Sequence, residues 1–202
     1  MTRKVAVGIV LATGLMLAGC SQTANGNAAP TPSSNPGAST GASSSAQAVP
    51  QVANPLIVSQ FEQNPCGLLS ASRASQILPS VRTRVSPGAT ANPICNWIDA
   101  KQNSVSLGLI KGNGLSDVYG QHSTGNAGYF DPISDIGGYP GTYASLSDDR
   151  SKGVCTLFVG VRNDEVLSVS ASFVDGSANE ANSCPVALKA AGLAVETAQG
   201  GS

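Results

Sequence analysis

From residue 154 to residue 173 apolar and polar positions alternate with the period of two that a half-buried strand requires. Cys155, Leu157, Val159 and Val161 fall on one side of the first run. Leu167, Val169, Ala171 and Phe173 fall on one side of the second, opposite Ser168, Ser170 and Ser172. Arg162-Asn163-Asp164-Glu165 is the turn between them, so the two runs predict a β-hairpin with one face toward a core and the other toward solvent. Residues 104–109 alternate as cleanly, with Val105, Leu107 and Leu109 on one face, and the short apolar run 94–98 precedes them as another strand. A further strand is expected over 142–146, between the turn clusters at 137–141 and 148–153.

The helical period appears at the two ends of this region. Asn64 is a suitable N-cap with Pro65 at the first helical position. Leu69, Ala74, Ile77 and Leu78 then recur on one face until Pro79, which predicts a helix over 65–78 with a second turn capped by Ser70. Near the C-terminus Cys184, Leu188, Ala191 and Val195 share a helical face that ends near Glu196, and Ser177-Ala178-Asn179-Glu180 has capping-box spacing. Pro185 suits the first turn of a helix capped at Ser183, so a separate short turn precedes it. Residues 111–132 show neither period beyond one helical turn at 115–119 and read as a long loop, which in a compact domain is functional or mobile. Together these elements predict an α+β fold: a single antiparallel sheet with N-terminal and C-terminal helices packed on one face.

The first residues have a different pattern. Thr2-Arg3-Lys4 is a short positive segment, residues 5–17 are apolar with interruptions at Gly8, Thr13 and Gly14, and Leu17-Ala18-Gly19-Cys20 ends in a small-residue cleavage site. The apolar run is shorter than the ~18–20 residues that span a bilayer, so it reads as an export signal. The Leu-Ala-Gly-Cys tetrapeptide resembles a bacterial lipobox. That resemblance implies a lipoprotein signal peptide over 1–19 and a covalent diacylglycerol and acyl lipid on the Cys20 thiol and amine, with no other cofactor. Two or three buried chains, at ~0.8 kcal/mol per methylene, hold a protein firmly on a membrane. Residues 20–54 are rich in Ser, Thr, Ala, Gly, Asn and Pro, and no charge occurs between Lys4 and Glu62. Such a segment is expected to be a disordered linker holding the domain on the order of 30 Å from the membrane, compatible with an O-glycosylated stalk. The folded domain is expected over 55–197, with a frayed tail at 198–202.

Composition narrows the partners. The chain has 11 basic and 12 acidic residues; without Arg3 and Lys4 the mature chain carries 9 against 12, a net charge of −3. That excludes the basic footprint of a nucleic-acid binder. With Cys20 assigned to lipid, four cysteines remain: Cys66, Cys95, Cys155 and Cys184. An even number in an exported domain predicts two disulfides with three possible connectivities. Cys66–Cys95 and Cys155–Cys184 are the favoured pairs because each joins neighbouring layers. The Cys-x-x-Cys spacing of a thiolate zinc site does not occur, so no metal is expected.

A family resemblance is carried by Asn64-Pro65-Cys66-Gly67-Leu68-Leu69, Cys95-Asn96-Trp97, Ile136-Gly137-Gly138, Val154-Cys155 with the hairpin after it, and Cys184 in the last helix. Behind a lipobox, this set resembles the actinobacterial lipoproteins catalogued as domain of unknown function 3558, over about residues 58–197. Asn64 stands where that family more often has Asp, and Tyr139-Pro140 replaces its usual Gly-Asp-x-Ala continuation. The resemblance implies a lipid-anchored protein on the extracytoplasmic face of the cell membrane, and it brings no catalytic residue with it.

Candidate chemistry is sparse. Gly37-Ala38-Ser39-Thr40-Gly41 matches a nucleophile-elbow pattern but lies in the linker, without the strand and helix the elbow needs. His122, the single histidine, stands beside Ser123 with Asp117 and Asp131 nearby in sequence, the residues a hydrolase would use if they met in space. Gly112-Asn113-Gly114 lacks the third glycine of a dinucleotide fingerprint. Trp97 shares a strand face with Cys95 and is expected in the core. Tyr119, His122, Tyr129, Phe130 and Tyr139 gather in the long loop and its exit and are the expected binding surface, or else an aromatic cluster that packs the loop down. No catalytic residue is assigned, and the expected role is a non-enzymatic module for an unknown protein or a small apolar ligand. The alternatives are an accessory structural protein of a membrane complex and a hydrolase built around His122.

Overall fold

The computed structural model describes residues 47–88 and 92–200. The expected signal peptide, Cys20, the Gly37–Gly41 motif and the linker as far as residue 46 lie outside the described residues, as do Gly201 and Ser202. No helix among the described residues is long and apolar enough to cross a membrane.

Packing begins before the expected boundary at residue 55. Val52 is buried in the main core, and its N–H donates to the Asn163 side-chain carbonyl at 2.9 Å. The expected helix over 65–78 is two pieces: a 3₁₀ turn at Pro65–Leu68 and a short helix α1, Ala71–Ser75. Leu69 is extended between them, and Ser70 caps α1 by accepting from the Arg73 N–H. The break lets consecutive Leu68 and Leu69 both be buried, whereas a continuous helix would turn them about 100° apart.

The strands are β1 (Arg82–Pro87), β2 (Pro93–Ile98) and β3 (Ser104–Lys111). Helix α2 (Leu115–Ser123) follows, then β4 (Tyr129–Ile133), β5 (Gly141–Ser145), β6 (Val154–Arg162), β7 (Glu165–Ser172) and the closing helix α3 (Ser183–Ala198). All seven strands form one antiparallel sheet in the order β1-β2-β3-β7-β6-β5-β4. Two strands escape the sequence pattern, and both are edges. β1 reads Arg-Thr-Arg-Val-Ser-Pro and is almost wholly exposed, while β4 carries Pro132, which an edge strand tolerates because one side needs no N–H.

The core lies between one sheet face and the helices. Val105, Leu107, Leu157, Val159, Val161, Leu167 and Val169 project from the central strands, and Cys95 and Trp97 from β2. α3 meets them with Ala187, Ala190, Ala191, Ala194 and Val195, all at 0% exposure. Alanine side chains allow the helix axis close to the sheet, where dispersion contacts are densest. A 3₁₀ turn at Glu180–Asn182 precedes α3, which places Pro185 in its first turn as expected. Disulfides Cys66–Cys95 and Cys155–Cys184 join the N-terminal turn to β2 and α3 to β6, each with Cα atoms 5.0 Å apart.

Candidate apolar ligand groove

The other sheet face is not uniformly solvated. After β3, Gly112-Asn113-Gly114 turns the chain back over this face into α2, nine residues long where one turn was expected. Gly114 at its N-cap presses against the β6–β7 turn so closely that a Cβ there would run into the Asn163 carbonyl. Gly160 makes a second close approach: a Cβ would lie 2.9 Å from Leu115 Cδ1. The helix therefore docks on glycine-sized gaps, and Leu115, Tyr119 and Val166 form a second small core beneath it, joined by Ile110, Phe130 and Phe158.

A half-open groove of about 370 Å³ runs beside this core. Its walls are Ile110, Val118, Ala144, Leu146, Phe158 and Val166, and Asn113, Asp117 and Gln121 supply polar atoms along the helix edge. Leu146 is 71% exposed at the rim, a large apolar side chain left mostly to solvent. An adjoining hollow of about 240 Å³ lies over Ile94, Gly108, Ser168 and Ser170 and shares Ile110 and Phe158 with the first. Together they cross β5, β6, β7, β3 and β2. At about 4.8 Å per strand spacing, that is roughly 19 Å of mostly apolar floor.

The expected aromatic surface is distributed differently. Tyr119, Tyr129 and Tyr139 are buried, Phe130 is half-buried, and His122 is exposed. Tyr119 meets Phe130 edge-on at 4.8 Å and His122 stacks flat on Phe130 at 4.1 Å, so these rings fasten α2 to β4. The Tyr129 hydroxyl accepts from the Thr156 N–H at 2.8 Å, and the Arg150 guanidinium lies 4.3 Å from the ring centre. Tyr139 belongs to the main core, and burial pushes the Tyr119, Tyr129 and Tyr143 hydroxyls above their ordinary pKa. Of the two expectations for these rings, the structure corrects the binding surface and matches the cluster that packs the segment down: the tyrosines of 111–143 turn inward, His122 stays exposed on Phe130, and smaller residues line the groove.

The residues of the hydrolase alternative do not converge. The Ser123 hydroxyl donates to the Gly120 carbonyl at 2.8 Å, Asp117 accepts from the Asn113 amide, and Asp131 pairs with Arg150 at 2.7 Å. Arg150 also grips Asp148 and holds its carboxyl down to about 2. No group of three metal-ligating side chains is assembled among the described residues. Sequence reasoning passed over the groove liners Ile110, Phe158 and Val166, although a signal existed: each is a large apolar residue at an outward position, beside small or polar outward neighbours such as Ser106, Gly108, Thr156, Gly160 and Ser168.

The family described as "Protein of unknown function (DUF3558)" matches residues 15–197. The chain belongs to this family. The matched span takes in every element of the DUF3558 domain from the 3₁₀ turn at Ser59–Phe61 to the last turn of α3. Neither a curated protein nor a solved structure matches the chain.

Proposed function

We propose that this DUF3558 protein is a lipid-anchored envelope lipoprotein whose domain, outside the membrane, holds an elongated apolar ligand in the groove beside α2 and performs no reaction on it. The groove carries the reading. Its volume of about 370 Å³ lies in the range of small-molecule sites, and together with the adjoining hollow its length suits an extended hydrocarbon chain. Asn113, Asp117 and Gln121 stand at the helix edge, where a hydroxyl or amide head group of the ligand finds both donors and acceptors. The anchor rests on the lipobox at Leu17-Ala18-Gly19-Cys20, which falls inside the family match.

Titration of the full chain with dansyl-labelled undecanoic acid tests the groove. Saturable fluorescence enhancement, displaced by palmitate, is expected. Leu146→Asp should weaken binding about fivefold or more while leaving urea stability unchanged, since an exposed rim leucine contributes roughly 1 kcal/mol to an apolar ligand and little to the fold. Equal affinity in the variant overturns the placement. For the anchor, Cys20→Ala should move the protein from the membrane to the soluble fraction; unchanged membrane retention would sink that part of the reading.

A further inference from the structure

The sheet's helix-covered face ends in a polar cleft that the apolar groove does not involve. Lys111 at the end of β3 is paired in register with Glu165 at the start of β7, and Arg162 at the end of β6 lies opposite the same Glu165. The chain at residues 56–62 closes over this end, with the Leu56 N–H donating to the Val161 carbonyl at 2.9 Å. A half-open cleft of about 380 Å³ results, with Leu56 and Val58 on its apolar side and Glu62, Lys111, Arg162, Asp164 and Glu165 on its charged side.

The charges do not balance. Lys111 Nζ is bound to Glu62 Oε1 at 2.6 Å, and Arg162 Nε lies 3.5 Å from Asp164 Oδ1, so each base already has a carboxylate. Glu165 is left over. It is 3% exposed, and its Oε1 is enclosed with no hydrogen-bond partner among the described residues. A buried carboxylate oxygen without a donor is costly, and native proteins leave few of them. Burial raises its carboxyl above the ordinary value. Lys111 and Arg162 act against that rise, and Glu62 and Asp164 add to it. What the site lacks is therefore a donor and one positive charge. An anionic ligand would meet an excess of carboxylates, and a metal ion would need a converging set of ligands that the described residues do not form.

We infer that this cleft binds an ammonium group on an aliphatic stem, with the Glu165 carboxylate, which lines the cleft, turning to accept from the nitrogen and the stem lying against Leu56 and Val58. The site is on the opposite sheet face from the groove, so the two readings stand or fall separately. Glu62, Lys111, Arg162 and Asp164 are the charged groups facing the incoming nitrogen.

The test is titration of the full chain with n-butylammonium, followed by the amide NMR signals of Arg162 and Glu165, with 1-butanol as the uncharged isostere. Saturable shifts are expected for the amine and not for the alcohol. Affinity should fall about tenfold or more in Glu165→Gln, because a hydrogen bond to a charged group is lost. In the wild-type chain affinity should also fall as the pH is lowered and Glu165 takes up a proton, a readout that holds even if the variant fails to fold. Absence of saturable shifts, equal binding of butanol, an unchanged affinity in a folded Glu165→Gln chain, or affinity independent of pH across the acid range each overturns the assignment. Leu146→Asp should leave butylammonium binding as it is.

Discussion

Replacing Cys155 and Cys184 together by alanine removes the bridge between β6 and α3. The two cysteines are 29 residues apart, and in the chain-entropy model a closed loop of that length removes about 3.6 kcal/mol of unfolded-state freedom at 25 °C. Cys155 is fully buried, so the lost sulfur also leaves a small void that adds on the order of 1 kcal/mol. A domain of ordinary stability, ~5–15 kcal/mol, would keep its fold but lose a large part of its margin. The assay is urea unfolding followed by circular dichroism under non-reducing conditions. The variant's m-value should be equal or somewhat larger, because its unfolded chain is less constrained, with ΔG lower by ~4 kcal/mol and Tm lower by roughly 8–16 °C for a chain of this size. The Cys66–Cys95 loop has the same 29-residue separation, so its removal should cost a similar amount despite its different place in the fold. A loss under ~1 kcal/mol, or a sharply reduced m-value in the Cys155–Cys184 variant, would refute the reasoning. The latter would mean that α3 detaches by itself and that its alanine face does not bind it cooperatively to the sheet.

Arg73 is buried, donates to the Leu193 carbonyl at 2.8 Å and reaches Glu196 at 3.2 Å, so Arg73→Ala should cost ~1–3 kcal/mol in urea unfolding by removing the charged donor that ties α1 to α3, although the Thr197 hydroxyl still serves that carbonyl. Arg73→Lys should not restore it, because one ammonium does not reproduce the guanidinium fork. Tyr129→Phe should cost ~1–2 kcal/mol, since β5 pairs with β6 only through residues 141–143 and the tyrosine hydroxyl serves the Thr156 N–H beyond that point. Glu165→Gln tests the buried acid through pH. Its folded-state pKa is raised, so as pH rises the unfolded chain ionises first and the folded state is penalised. Unfolding midpoints should agree at pH below the unfolded glutamate range, separate as pH rises from the unfolded to the folded pKa, and differ by a constant amount above it, with the variant the more stable; a wild type more stable at neutral pH contradicts this.

Where the alternation was strong, in β3, β6 and β7, the core-facing residues were legible from the sequence, because burial of one face enforces a period of two. The disulfide pairs followed from the same faces. Elements whose formation depends on neighbours were not legible. β1 has no apolar pattern because an edge strand needs only a partner's backbone, supplied by β2. α2 looked like a loop because Gly120, His122 and Ser123 are weak helix formers on an exposed face, and what holds them is Leu115 and Tyr119 packing on the sheet.

Sequence by itself determined the α+β class, the core strands and the two disulfide pairs. Each of these is local in the chain: a period or a count. Tertiary structure decided where a ligand fits. Ile110, Phe158 and Val166 sit far apart in the chain and become one apolar floor only through the strand order β3-β7-β6. Glu165 reads as an ordinary turn glutamate until residues 56–62 fold over it and remove its solvent. Burial is a property of neighbours brought from elsewhere in the chain, so the chemistry of both sites appears only after folding.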